Sequence, residues 1–314
     1  MNMQSKQYFR IMLGRAHSFA DECFEGGFIG ADFGINQDLT GELPENWREF
    51  NAKFIPIYIE NHPDKSKIAA GLACGAIHTI SKAINIGDII LGPTGQGTYR
   101  IGEVTGGYSY VDGANLQHQR NVSWSNQYIN RDEMSESLRN SSGSIGTVSN
   151  LTSYANEIES LIDGNVLTSL SSSDESIEDP TYFALEKHLE DFLIANWSRT
   201  RLGEKYQIYS EEGEIVGQQY PSDTGPIDIL AISNDGNEIL VVELKKGRAS
   251  DSVVGQIQRY MGYVKDVLAE EHQTVSGVII AAEDDQRIRR ALSVTQNISF
   301  MKYSVKFELN DGQA

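Results

Sequence analysis

The stretch from Gly225 to Gly247, GPIDILAISNDGNEILVVELKKG, has very little choice in how it folds. Two apolar runs, at 227–232 and 238–245, meet at Asn234-Asp235-Gly236-Asn237, and an Asp-Gly pair between two such runs is a strong hairpin signal. A turn centred between Asp235 and Gly236 sets Asp228 directly opposite Glu243. Opposed residues project from one face with Cβ atoms about 4.5 to 5.5 Å apart, close enough for two carboxylates to share a divalent ion. Lys245, two residues beyond Glu243, lies on the same face. Three charged side chains among apolar neighbours are costly to bury unless they act together. The plain alternative is an ordinary salt bridge on a solvated face, and a one-residue slip in the hairpin would separate the set.

Around this hairpin the second half of the chain reads as helix, strand, strand, strand, helix, strand, helix, strand. Asp179 and Pro180 supply an N-cap and a first-turn proline for a helix to about Trp197, with Tyr182, Leu185, Leu189, Phe192 and Leu193 on its buried face. Strands are expected at 206–209, 227–232, 238–245 and 278–282, a long helix at 251–270 and a basic one at 286–292. That order predicts a mixed sheet flanked by helices. At 314 residues the chain is long enough for two domains. Between Arg131 and Pro180 lie 13 serines and the run SLSSSDESIEDP, too polar to bury much surface, so a linker is expected at 164–179 between domains at 1–163 and 180–314. The helical spacing at 150–162 predicts a segment that packs back on the first domain.

The net charge of −18 is unevenly spread: residues 1–130 carry −3, 131–180 carry −8 and 181–314 carry −7. Both flanking regions can therefore keep local basic faces, and DNA binding is not excluded. No run of 18 apolar residues and no leader-like start are present, which predicts a soluble, cytoplasmic protein without a membrane partner. Cys23 and Cys74 have no partner at zinc-ligand spacing and read as reduced, buried thiols. The six histidines are scattered, and nothing supports serine or cysteine nucleophilic catalysis.

Pro226-Ile227-Asp228, fourteen residues, then Glu243-Leu244-Lys245 resembles the PD-(D/E)xK nuclease signature, and the ordered set of glycine, Asp, DG turn, strand, ELK and downstream glutamine resembles the NucS or EndoMS type over about 180–310. Gln256 and Tyr260, one helical turn apart, resemble the QxxxY element of RecB-like nucleases. Glu186 matches the helix acid that completes the metal site in such enzymes, with Glu190 as its rival one turn later. The resemblance implies that Asp228, Glu243, Glu186 and the carbonyl of Leu244 hold one or two Mg²⁺ ions, with Mn²⁺ able to substitute. Lys245 would stabilise the developing charge. Lys246, Arg248 and Arg259 are candidates for phosphate contacts, as are Arg287, Arg289 and Arg290.

In the first half, a helix is expected over 67–84 and strands at 88–91 and 99–105 around the turn GPTGQG, which lacks the Gly-Lys-Ser/Thr ending of a phosphate-binding loop. FEGGFIGADFG, GDIILGP, GTYRIGEVTGGYSY, HQRNVSWS and LRNSSGSIGTV together resemble the PUA-like or EVE-like modules beside nuclease domains of Mrr-type and other modification-dependent restriction proteins. The family's N-terminal module in NucS does not match here. The resemblance implies an α+β β-barrel that takes a flipped or modified base, for which Phe33, Trp47, Tyr99, Tyr108 and Trp124 are candidate walls and Asp32 a polar reader.

The expectation is thus an α/β protein: a PUA/EVE-like β-barrel reader joined to a restriction-endonuclease-like mixed sheet, cutting double-stranded DNA as a homodimer in a restriction or defence role. An effector nuclease switched on by a nucleotide, a mismatch-repair endonuclease and a non-catalytic DNA-binding protein remain as alternatives.

Overall fold

The computed structural model describes residues 6–44, 46–143, 146–164, 189–211 and 213–304. They divide into two compact units, Met1–Ser173 with Glu211–Val216, and Asp174–Ser210 with Gly217–Ala314. The linker expected at 164–179 and the start of the helix expected from 180 lie almost wholly outside the described residues.

The first unit is built on β1 (Tyr8–Ile11), α1 (Ala20–Gly26), β2 (Phe28–Ala31), α2 (Trp47–Asn61), α3 (Lys67–His78), β3 (Ile89–Pro93), β4 (Thr98–Tyr110), β5 (His118–Asn130), α4 (Glu136–Ser142), β6 (Val148–Asn150) and α5 (Ala155–Ile162). Its six strands run in the order β2-β5-β4-β3-β1-β6, parallel between β1 and β3 and antiparallel elsewhere. This sheet is open, where a closed barrel was expected. The edge strands β2 and β6 have four and three residues and sit at opposite ends of the sheet, so no pairing closes it among the described residues.

The helix expected at 67–84 is α3 continued by a wider last turn, Thr79–Ala83, and it starts where the Ser66 hydroxyl accepts from the Ala69 amide. α5 packs back as its spacing predicts: Ile158 is fully buried against Tyr8, Leu91, Tyr99 and Ile129. Arg10 is fully buried beneath β6 and donates to the carbonyls of Ser142 and Gly146 and to the Ser149 hydroxyl, at 3.0, 2.5 and 2.7 Å. Burial lowers its pKa to about 10, which leaves the guanidinium charged. Both cysteines are free and buried, and burial pushes each thiol up to about 12.

The second unit contains a helix at 189–196, here α6, then β7 (Tyr206–Ile208), β10 (Gln218–Tyr220), β11 (Ile227–Ser233), β12 (Glu238–Arg248), α7 (Ser252–Tyr263), β13 (Thr274–Glu283), α8 (Gln286–Ser293) and β14 (Ile298–Lys302), while a small ribbon of β8 (Ser210–Glu211) and β9 (Glu214–Ile215) falls at the 211–216 stretch that belongs to the first unit. The main sheet has the order β10-β11-β12-β13-β14, with β7 also pairing β11. It is antiparallel from β10 to β12 and parallel from β12 to β14. One face holds Trp197, Ile208, Ile229, Leu240, Val242 and Val278 in a core to which Leu189, Leu193 and Ile194 are added by α6. Phe192, expected on the buried face of that helix, is 63% exposed, because residues 189, 190, 193 and 194 form the inward stripe and 192 falls off it. α7 covers the other face. Gly277 lets it sit close: a Cβ there would lie 2.7 Å from Met261 Sδ and 2.8 Å from Ile257 Cδ1. Among the described residues no helix is long and apolar enough to cross a membrane.

Candidate active site

The hairpin has the register that its turn chemistry demands. Ile229 pairs with Val242, Leu230 with Val241, Ala231 with Leu240 and Ile232 with Ile239, and the same register carried one step further sets Asp228 opposite Glu243. The turn is held by Ser233 Oγ, which donates to Asp235 Oδ1 at 2.6 Å, by Asn237 N to the same oxygen at 3.1 Å, and by Gly236 N to Ser233 O at 2.8 Å. Those hydrogen bonds hold the Asp235 carboxyl down at about 2.

Glu243 is 1% exposed and Asp228 partly buried. Lys245 Nζ lies 2.9 Å from Glu243 Oε1, and Leu244 N donates to Asp228 Oδ2 at 2.7 Å, so the two carboxylates and the lysine do converge. Burial, and next the charge of Glu243, push the Asp228 carboxyl well above its usual range, against the pull of the Leu244 amide. A divalent cation is the partner that would let both acids ionise side by side, and two facing carboxylates are a donor set suited to it. Among the described residues, however, no three His, Cys, Asp or Glu side chains are drawn together tightly enough to hold an ion.

The third acid explains why. Glu190, on α6, is 4% exposed and raises the Asp228 carboxyl further through its charge. Its Oε1 accepts from Gln218 Nε2 and its Oε2 from Gln219 Nε2, each at 2.6 Å, and the same Gln219 nitrogen is 3.2 Å from Asp228 Oδ1. Glu186 lies outside the described residues.

On α7, Gln256 Nε2 donates to Tyr260 Oη at 3.3 Å, and burial raises the buried Tyr260 phenol, with smaller contributions from Glu243 and Asp228. Gly225, with φ +126°, brings its backbone against that hydroxyl: a Cβ at this position would lie 3.2 Å from it. The candidate phosphate contacts are less uniform. Lys246 gives its carbonyl to the Tyr303 hydroxyl, exposed Arg248 lies 3.9 Å from Asp285, and Arg259 is exposed on α7. Arg287 and Arg290 are exposed on α8, whereas Arg289 is paired with Asp284.

In the first unit the six candidate base-pocket residues do not form one pocket wall. Tyr99 is a core residue whose hydroxyl donates to Ser142 O. Tyr108 stacks on His118, hydrogen-bonds its Nδ1 at 3.0 Å and accepts from Leu39 N, which ties down the loop after β2. Asp32, in that loop, accepts from Gly34 N, and Phe33 beside it is partly buried. Trp47 stacks on His78 across α2 and α3. Trp124 donates to Cys23 O and meets Phe24 edge-on. What the spacing of aromatics did not reveal is a shallow groove of about 390 Å³ lined by Asp21, Phe24, Glu25, Gln96, Arg100 and Tyr128 among others. There the Arg100 guanidinium lies over both the Phe24 and Tyr128 rings, at 5.2 and 6.0 Å, and Tyr128 is 52% exposed.

An Asp–Glu pair with a lysine two residues on thus lies where the antiparallel half of a helix-flanked mixed sheet meets its parallel half, the arrangement that the sequence resemblance led one to expect. Residues 186–311 match the Endonuclease NucS C-terminal domain, so this part of the chain is similar to that domain. Residues 9–152 match a domain of unknown function, DUF8426. Over 101 residues the chain is 38% identical to an Endonuclease NucS of Corynebacterium aurimucosum, covering 32% of this chain and 37% of that protein. Over 113 residues it is 30% identical to the Endonuclease NucS of Aeropyrum pernix, covering 36% and 38%. The chain thus spans little more than a third of the length of these relatives. A solved complex of EndoMS with double-stranded DNA is 13% identical, with 67% of this chain and 62% of that chain covered and a TM-score of 0.32. At that score the assignment rests on the sequence matches alone.

Proposed function

We propose that this protein is a metal-dependent DNA endonuclease whose second unit hydrolyses phosphodiester bonds and whose first unit selects the DNA. The observation that carries the reading is the hairpin register that sets Asp228 against Glu243 with Lys245 at 2.9 Å. Asp228, Glu243 and the Leu244 carbonyl would hold Mg²⁺, or Mn²⁺ in its place, with Glu190 or Glu186 as the further acid. The cation supplies Lewis-acid polarisation of the phosphate and an acidified water. Lys245, held on the same face, stabilises charge that develops on the phosphate oxygens. Gln256 and Tyr260 would present polar groups beside it, and Lys246, Arg248 and Arg259 would bind backbone phosphates. No covalent enzyme intermediate is required.

The relatives are named as endonucleases, which supports a nucleic acid as the substrate, and we take it to be duplex DNA. The curated relatives align with only about a third of this chain, so what the first unit reads is this protein's own property. We assign it the reading of a modified base in a cytoplasmic restriction or defence role. For the reading surface, the groove at Phe24, Arg100 and Tyr128 has better support than the dispersed set of Asp32, Phe33, Trp47, Tyr99 and Tyr108. A guanidinium over two rings next to an exposed tyrosine is a ready stacking platform. One such centre cuts one strand, so a double-strand break calls for a homodimer.

The test is Mg²⁺-dependent cleavage of matched plasmids, unmodified, cytosine-methylated and hydroxymethylated, beside a mismatch-bearing duplex. Cleavage of a modified plasmid alone is the expected result. Cleavage of the mismatch alone would make the protein a repair enzyme, and folded Asp228→Ala and Glu243→Ala proteins that cut as fast as wild type would overturn the nuclease reading.

A further inference from the structure

Gln218 and Gln219 are neighbours on β10, and along an extended strand neighbouring side chains point to opposite faces. Yet both of their amides reach the same carboxylate, that of Glu190. The backbone explains it: Gln219 has φ +50°, a left-handed conformation that side-chain-bearing residues rarely adopt, and this turns its side chain back toward Glu190. Such outliers persist where the surroundings hold them, and they gather at functional sites.

What the outlier achieves is a bridge. The Gln219 amide nitrogen is 2.6 Å from Glu190 Oε2 and 3.2 Å from Asp228 Oδ1. The NH₂ end of the amide faces both acids, with one N–H for each carboxyl oxygen that accepts. Gln218 meanwhile fixes the other Glu190 oxygen, so Glu190 keeps its place whether or not Gln219 is present. The two bridged oxygens are farther from the amide nitrogen than the about 2.0 to 2.1 Å of a Mg²⁺–oxygen contact, so the acids must close in on an ion that takes this place.

We propose that the Gln219 amide stands in for the cation: it bridges Glu190 and Asp228 in the metal-free protein, and a divalent ion must displace it to bind. This rests on the metal-dependent reading of the site. It makes Gln219 a positioning residue that keeps two acids apart and ordered until the metal arrives, at the cost of competing with it.

Calorimetric titration of Mn²⁺ into the full-length protein tests this without any DNA. In Gln219→Ala the competitor is gone, and Mn²⁺ binding should tighten by roughly tenfold, the scale of a hydrogen bond to a charged group. Unchanged affinity would make Gln219 a spectator, and weaker affinity would make its carbonyl a ligand; either result overturns the inference. If Gln219→Ala melts far below wild type without metal, Gln219→Gly, which suits the left-handed backbone, takes its place with the same expectation. Asp228→Ala separates the two levels of the argument. If it binds Mn²⁺ as well as wild type does, the metal reading falls and the inference with it. If it loses binding while Gln219→Ala matches wild type, only the inference falls.

Discussion

Asp228 is an acid that its own fold discourages from ionising, through burial first and the facing Glu243 second. Its folded-state pKa lies above that of the unfolded chain, so the folded protein holds the proton longer. In the absence of metal, stability is therefore greatest below the ordinary carboxylate pKa and falls as pH rises from there through the raised value. Asn at this position still offers an oxygen to the Leu244 amide but carries no charge. Thermal melts in EDTA between about pH 4 and 8 should show the wild type losing stability relative to Asp228→Asn as pH rises, and parallel curves would contradict the assignment. At this scale Asp228, Glu243 and Lys245 were legible in the sequence, because an Asp-Gly turn fixes pairing and pairing fixes the face. Gln219 was not. It sits on a three-residue strand with no alternation to read, and its role depends on a backbone angle that the residue type disfavours. The choice between Glu186 and Glu190 was equally closed, since residues one helical turn apart share a face.

Among the elements, α7 is the one whose position the site depends on, since it carries Gln256 and Tyr260 over the carboxylate face. Gly277, under Ile257 and Met261, sets how near it can come. Gly277→Val should cost about 1 to 3 kcal/mol, read as a lowered urea midpoint, and should weaken Mn²⁺ binding by tilting α7 away; a neutral effect would show that α7 has slack. The hairpin strands and α3 were readable because their apolar patterns are long and capped by Gly, Ser and Asp. β14 is the strand expected after the basic helix, whereas β10 was missed, as three residues carry no alternation to read. The expected barrel failed for a reason outside any local pattern: closure depends on which strands become edges, and β2 and β6 are too short and too far apart in the sheet to meet.

For the whole molecule, a net charge of −18 leaves the proposed DNA contact to a few local cations, so cleavage should fall with added salt by a slope of about 0.9 per phosphate contacted. Two compact units with separate cores are also expected to melt separately. At a Mn²⁺ concentration a hundredfold above its dissociation constant, linkage gives about 2.7 kcal/mol of stabilisation to whichever unit binds it. Calorimetric scans should show one transition moving upward with Mn²⁺ and the other staying still, with the movement lost in Asp228→Ala. If both transitions move, the metal is not confined to the second unit.

The turn at 233–238 also bears on heredity. Side chains on a strand alternate between faces, so a one-residue slip in the pairing of the two strands would carry either Asp228 or Glu243 to the far side of the sheet while leaving every codon of the set untouched. A lineage of this protein can therefore change the length of this turn only where the two strands keep their pairing, a condition that its other loops do not have to meet. Gene copies whose strands pair in another register would keep these residues and lose their arrangement.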